Sequence, residues 1–190
     1  MNAPVTYDPL IVPMDQVGFD YTWANMPWEH RDGAPRLEAW FNPYKQPYTY
    51  GQGEHARTYE AHELGGLSDI SAFIAWTMGL LNGKYGSSYD CCFVNGYRDG
   101  RDALGWHADD SPEMDMDHPI ATVSFGATRE IWFRQKDDSS GQAVEKLTLR
   151  NGSAAIMHAG MQRDWQHRIP KSSEAKCGPR ISLTYRRLVR

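Results

Sequence analysis

Six short stretches in the second half of the chain, residues 91–97, 121–125, 130–133, 145–149, 154–158 and 180–188, carry strand patterns, with Gly, Asp and Ser turns between them. Short strands at this spacing build a sandwich or barrel, and a jelly roll is the version that can hold a metal between its sheets. The fold expected is therefore mainly β, with a helical minority (α+β). A length of 190 residues suits one domain with a continuous core. Within 1–190, about 88–190 would form the jelly roll and about 1–66 an N-terminal extension.

Ahead of the strands, Ser68 is a good N-cap with Asp69 in the first turn. Ile70, Phe73, Ile74, Leu80 and Leu81 then recur at helical intervals until Asn82-Gly83. Residues 14–24 place Val17, Tyr21 and Ala24 on one face of a shorter helix, and residues 1–13 read as an arm laid on the surface. The stretch 28–53 is rich in Pro, Gly and aromatic residues and suits short strands and turns. Rings such as Trp40, Tyr48 and Tyr50 can stack on an extruded base, although most rings in such a stretch pack onto a core.

A net charge of −4 does not advertise a nonspecific nucleic-acid binder. The distribution is less even: residues 163–190 hold eight Lys and Arg against Asp164 and Glu174, while Asp109, Asp110, Glu113, Asp115 and Asp117 form an acidic run. Both segments also read as solvated surface. Three cysteines, two of them adjacent, make neither a disulfide framework nor a zinc spacing. No apolar run of about 18 residues is present to span a membrane, and residues 1–16 lack the pattern of a signal peptide. The expectation is an intracellular monomer, cytoplasmic in a bacterium or phage host, with the nucleus open to it in a eukaryote.

The closing strand separates Ile181, Leu183 and Tyr185 from Arg180, Ser182, Thr184 and Arg186. Its polar face is either solvated or lines the barrel, and in the second case two enclosed arginines need anionic partners, such as a dicarboxylate co-substrate. His107 and Asp109, two residues apart on extended chain, point to the same side and can grip one metal ion together. A facial set of two histidines and one carboxylate is the ligand pattern of non-heme Fe(II) oxygenases. H-x-D alone is a weak signal in a chain with seven histidines. Its weight comes from the order Asn95-Gly-Tyr97, His107-Ala-Asp109, Trp165-Gln-His167 and Arg180 to Arg186. His30, His55, His62, His118 and His158 read as surface or core residues.

In that order the residues resemble the AlkB family of Fe(II)- and 2-oxoglutarate-dependent dioxygenases, whose pattern is N-x-Y, H-x-D, a distant H, then R-x-N-x-T-x-R. Pro35-Arg-Leu-Glu-Ala-Trp-Phe with Tyr48-Thr-Tyr50 is similar to the nucleotide-recognition region of the family's repair branch. Ser124-Phe-Gly-Ala-Thr-Arg129 and Asp164-Trp-Gln-His167-Arg-Ile-Pro170 are similar to two further segments of that branch, so the resemblance covers roughly 35–188. Ser182 departs from the family's Asn, and no co-substrate role is carried onto it. Ser111 stands where a further Glu is common, which bears on substrate preference.

The resemblance implies a double-stranded β-helix (jelly roll) with N-terminal helices packed on it and a nucleotide-recognition lid. It implies that His107, Asp109 and His167 bind Fe(II) and form the catalytic centre. It also implies that Asn95, Tyr97, Arg180 and Arg186 bind 2-oxoglutarate, with Arg180 on the distal carboxylate. The activity implied is oxidative demethylation of 1-methyladenine or 3-methylcytosine in DNA or RNA, with O2 as co-substrate and succinate and formaldehyde as products. Trp40, Tyr48, Tyr50 and Asp110 are the candidates for holding the flipped base. Two readings compete: an oxygenase of the same fold acting on a protein, lipid or small molecule, and a metal- or nucleic-acid-binding module without turnover.

Overall fold

The computed structural model describes residues 3–30, 34–50, 56–138, 145–172 and 177–189; His55 and the charged Glu174, Lys176 and Arg190 lie outside them. In chain order the elements are β1 (Val5–Asp8), α1 (Gln16–Asn25), β2 (Leu37–Asn42), β3 (Tyr48–Tyr50), β4 (Arg57–Tyr59), β5 (Ala61–Glu63) and α2 (Asp69–Tyr85). There follow β6 (Cys91–Tyr97), β7 (Leu104–His107), β8 (Ile120–Gly126), β9 (Arg129–Gln135), β10 (Glu145–Leu149), β11 (Ala154–Met157), α3 (Met161–Asp164), β12 (Trp165–Ile169) and β13 (Arg180–Arg186).

Strand β13 decides the architecture, because all seven of its residues are buried. Ile181, Leu183 and Tyr185 pack with Phe19 of α1 and with Ile70, Ile74 and Leu81 of α2 in one apolar layer. Arg180, Ser182, Thr184 and Arg186 face the other way and are buried too, so the solvated reading of that face is wrong. The strand is central in a seven-stranded sheet of order β1-β11-β8-β13-β6-β2-β5, in which only the β2–β5 pairing is parallel. Opposite lies a four-stranded antiparallel sheet, β10-β9-β12-β7. A second apolar cluster, with Tyr97, Ile120, Ile131, Phe133, Met157, Trp165 and Ile169, brings residues of the two sheets together. Two facing sheets with helices on the outside of the larger one make the expected jelly-roll arrangement.

Several local expectations are corrected. Residues 5–8 pair with β11 as the edge strand of the large sheet, and Ala3 and Val12 are buried, so the N-terminal segment is part of the sheet and not an arm on its surface. Helix α1 forms, capped by Asp15 accepting from Gly18 N, but Val17 and Tyr21 are 77% and 49% exposed and Ala24 is exposed. Its buried face is Phe19 and Thr22, because the aromatic ring, not the β-branched and phenolic side chains, meets the sheet. Helix α2 starts at Ser68, whose hydroxyl accepts from Ser71 N, and passes through Asn82-Gly83 to end at Gly86 in the left-handed region. The Asn82 side chain bonds the backbone of Tyr89 through both its ends, tying the helix to the chain that follows and leaving Gly86 to stop it. Strands β2 and β5, from the expected extension, also belong to the large sheet. No helix among the described residues is long and apolar enough to cross a membrane. Cys91 and Cys92 are buried free thiols and Cys177 is partly exposed.

Candidate active site

Strands β7 and β12 place His107 directly opposite His167 in register. Trp165, His167 and Ile169 alternate inward along β12, so the second histidine is carried on a strand that its own period-2 pattern buries. Asp109 follows β7 by two residues. His107 Nε2 lies 3.7 Å from Asp109 Oδ1, His167 Nε2 lies 4.0 Å from Asp109 Oδ2, and one ligand atom from each of the three falls within 4.8 Å of the others. His107 Nδ1 is 2.9 Å from the Gly105 carbonyl, and donation along that bond leaves Nε2 with its lone pair free for a metal. Burial, with the neighbouring His107, holds His167 down to about 3, and burial likewise lowers His107, so both imidazoles are neutral at ordinary pH. Burial pushes the Asp109 carboxyl up, but the Arg186 guanidinium beside it overcomes that and holds it well below the usual carboxylate range.

The donor set suits a divalent transition metal: two neutral imidazoles, one charged carboxylate, and a buried Asp109 Oδ2 without a hydrogen bond. The guanidiniums of the inner face of β13 suit a small dianion. Arg180 is fully buried, and its Nη2 donates to Ser124 Oγ at 2.8 Å and to Ser182 Oγ at 3.3 Å, while Nε and Nη1 lack partners. Burial pulls it down to about 10, so it stays charged, and among the described residues no carboxylate pairs with it. Ser182, at the position where the family motif has Asn, thus helps anchor the guanidinium of Arg180. Arg186 donates Nη2 to Asp109 Oδ1 at 2.6 Å, with Nε and Nη1 unsatisfied. The arginine expected to hold co-substrate therefore first grips a metal ligand. Tyr97 is buried beneath Arg180, whose guanidinium lies 5.1 Å from its ring centre.

Asn95 sits between these groups, registered opposite Ser182. Its Oδ1 accepts from Arg36 Nε at 2.6 Å, Arg36 Nη2 pairs with the fully buried Glu38 Oε1 at 2.6 Å, and Tyr59 Oη donates to Glu38 Oε2 at 2.7 Å. With its oxygen so engaged, the Asn95 NH2 is the end left to donate. Sequence reasoning passed over Arg36, Glu38, Ser124 and Gln162, whose Oε1 accepts from Asp109 N at 3.0 Å. The alternation Arg36, Glu38, Trp40 was a usable sign of two charges on an inward-facing strand.

Of the four residues expected to hold the base, two line the cavity at the metal cluster. Tyr48 and Tyr50 stand there with Arg36, Phe93, Leu104 and the triad side of the site, around a space of about 20 Å³. Tyr48 Oη is 2.8 Å from Ser111 Oγ, which ties the β3–β4 hairpin to the segment just after Asp109. Trp40 is fully buried beneath Tyr48, its ring 5.1 Å away and its Nε1 bonded to Gln46 O, so it is a core residue and not a stacking surface. Asp110 is exposed and pairs with Lys136 at 2.8 Å instead of lining the cavity. His118 accepts from Ser88 N and His158 bonds Thr6, a structural use for both, as expected.

The sequence profile described as the 2OG-Fe(II) oxygenase superfamily matches residues 29–186. The Bos taurus alpha-ketoglutarate-dependent dioxygenase alkB homolog 3 is 32% identical over 182 residues, 88% of this chain and 59% of that protein. The Homo sapiens DNA oxidative demethylase ALKBH2 is 36% identical over 114 residues, 57% of this chain and 43% of that protein. The chain thus spans between 43% and 59% of the length of these two relatives. A solved structure, of OsALKBH1, shares the fold with a TM-score of 0.62 at 17% identity, covering 98% of both chains. The match over 29–186 and the His-Asp-His cluster within it together make this chain a member of the 2OG-Fe(II) oxygenase superfamily, of the AlkB type.

Proposed function

We propose that this protein removes N-methyl groups oxidatively from nucleobases in DNA or RNA, coupled to conversion of 2-oxoglutarate to succinate. The observation that carries the reading is the pair of buried arginines with unsatisfied N–H groups on the sheet face that confronts a His-Asp-His cluster. His107, Asp109 and His167 would hold Fe(II), and Arg180, with Tyr97 and the Asn95 NH2, would hold the co-substrate. Bound there, iron would supply the activation of O2 and 2-oxoglutarate two of the four electrons that its full reduction needs, the N-methyl group of the substrate giving the other two. The chain's own part is to fix three ligands, keep Asp109 ionised through Arg186, and exclude water around a dry pocket.

Nucleic acid as the substrate rests on two supports: relatives named as a DNA oxidative demethylase, and Tyr48 and Tyr50 at the cavity beside the cluster. A base needs far more than about 20 Å³, so its entry displaces the β3–β4 hairpin and breaks the Tyr48–Ser111 contact. Once inside, it stacks on the tyrosine rings. The test is formaldehyde release from single- and double-stranded oligonucleotides carrying 1-methyladenine or 3-methylcytosine, with Fe(II) and 2-oxoglutarate supplied. Succinate release that no methylated oligonucleotide stimulates would move the substrate to a protein, lipid or small molecule, and absence of any succinate would end the enzyme reading.

A further inference from the structure

The strands that carry the two histidines inward carry something else outward. Trp132 on β9 is registered opposite Lys146 on β10 and opposite Arg168 on β12, and Trp106 precedes His107 on β7. The four side chains form a row across the whole outer face of the small sheet, alternating cation and indole. Lys146 Nζ lies 4.1 Å from the Trp132 ring centre, and the Arg168 guanidinium lies 4.3 Å from Trp132 and 4.7 Å from Trp106. Arg134, one pleat along β9, covers Trp106 at 4.5 Å and is oriented by Gln166 Oε1, which accepts from its Nε and Nη2.

Among the described residues no carboxylate forms an ion pair with Lys146, Arg134 or Arg168, and Arg168 Nε has no hydrogen bond at all. Glu130, close to the row, accepts from Trp132 Nε1 at 2.7 Å. Three fixed positive charges against one negative, on a chain of net charge −4, make this face electropositive out of keeping with the whole. A sheet needs no such row for stability, since exposed charges are usually placed with both signs mixed. Each indole has two cations over its ring, Lys146 and Arg168 at Trp132 and Arg134 and Arg168 at Trp106, so the face offers N–H donors ahead of stacking surfaces.

We propose that the outer face of the small sheet binds the phosphodiester backbone of the nucleic-acid strand that delivers a base to the site, through Lys146, Arg168 and Arg134. The inference rests on the nucleic-acid reading above and names the surface that grips the strand. Lys146 and Arg168 stand two strand spacings apart, about 10 Å, so they reach different phosphates. Lys136, at the end of β9 and paired with Asp110 next to the metal ligand Asp109, extends the same positive side toward the active site.

The experiment is a salt titration of binding between the full chain and a fluorescent, unmethylated single-stranded oligonucleotide, read by anisotropy. Each phosphate neutralised on a single strand contributes about 0.7 to the slope of log K against log salt. The Lys146→Gln, Arg134→Gln, Arg168→Gln triple variant should flatten the slope by about 2 and the exposed Lys146→Gln alone by about 0.7, with 2-oxoglutarate binding unchanged. The single variant keeps the test sound if loss of Arg168 from between its indoles unsettles the sheet. Wild-type slopes in both variants would overturn the proposal, as would displacement of the oligonucleotide by polyglutamate at equal charge, which would mark an acidic protein surface as the partner. Formaldehyde release with unchanged slopes would overturn the surface while leaving the demethylase reading standing. A flattened slope without formaldehyde would do the reverse.

Discussion

Replacing Arg186 by methionine tests the electrostatics of the site with no metal in it. Arg186 Nη2 is 2.6 Å from Asp109 Oδ1, and both side chains are less than a tenth exposed. Burial pushes Asp109 up and Arg186 leads the groups that pull it below its ordinary 3.8. In the wild type the folded value is depressed, so Asp109 contributes stability above its ordinary range and loses that contribution as pH falls through it. In the variant burial prevails and the folded value is raised. The same carboxyl then favours folding at low pH and opposes it as pH rises. Removing one member of a buried ion pair costs about 3–5 kcal/mol, against a total stability of about 5–15 kcal/mol for a domain. Urea melts of metal-free protein in chelator, stepped from about pH 4 to about pH 7, should therefore show a wild-type advantage that grows by about 1.4 kcal/mol for each pH unit between the start of the titration and the folded pKa of the variant. Arg186 also lowers both imidazoles, so the same melts on a His107→Gln, His167→Gln background separate their titration from that of Asp109. A difference that stays flat with pH, or a loss under about 1 kcal/mol at neutral pH, would refute the argument that Arg186 keeps Asp109 ionised.

Alanine at His107 or His167 should abolish formaldehyde release while circular dichroism still shows the folded sheet, and wild-type activity in either would remove it from the ligand set. Arg180→Lys should weaken 2-oxoglutarate binding in titration calorimetry, because an ammonium cannot reproduce the planar set of guanidinium donors, of which Nε and Nη1 are without partners here; equal affinity would take Arg180 out of the co-substrate site. Trp40→Ala should cost about 3–5 kcal/mol in a denaturant melt, as a fully enclosed ring does. Tyr50→Ala should instead cost about 1–3 kcal/mol in binding of methylated oligonucleotide. A Trp40 variant of native stability would return that ring to the list of stacking surfaces.

The His107–Asp109 pair was legible because it is a local pattern, whereas His167 was singled out among the other histidines by the family resemblance. His107-Ala-Asp109 and the buried-polar alternation of β12 and β13 are written at period 2, and a strand has no other way to distribute its side chains. The start of α2 at residue 69 was legible for the same reason, since a cap needs only a side chain and the next turn, whereas the Asp15 cap of α1 was not read from the sequence. Where a helix ends or which face it buries is less local. Val17 and Tyr21 fit a helical stripe as well as Phe19 does, and only the sheet beneath α1 selects the phenyl ring.

The sequence by itself determined that β13 has two unlike faces, that two histidines and an aspartate are available to one metal, and that the closing half is sheet. Tertiary structure alone decided that both faces of β13 are buried, that Trp40 lies under Tyr48 instead of beside a base, that Arg186 meets Asp109, and that Arg36 and Glu38 fix Asn95. The physical reason is the range of the interactions. Periodicity is set by neighbouring residues on one strand, whereas Arg186 meets Asp109 and Arg36 meets Asn95 only across the fold, as do the members of the row from Lys146 to Trp106, which no single strand contains.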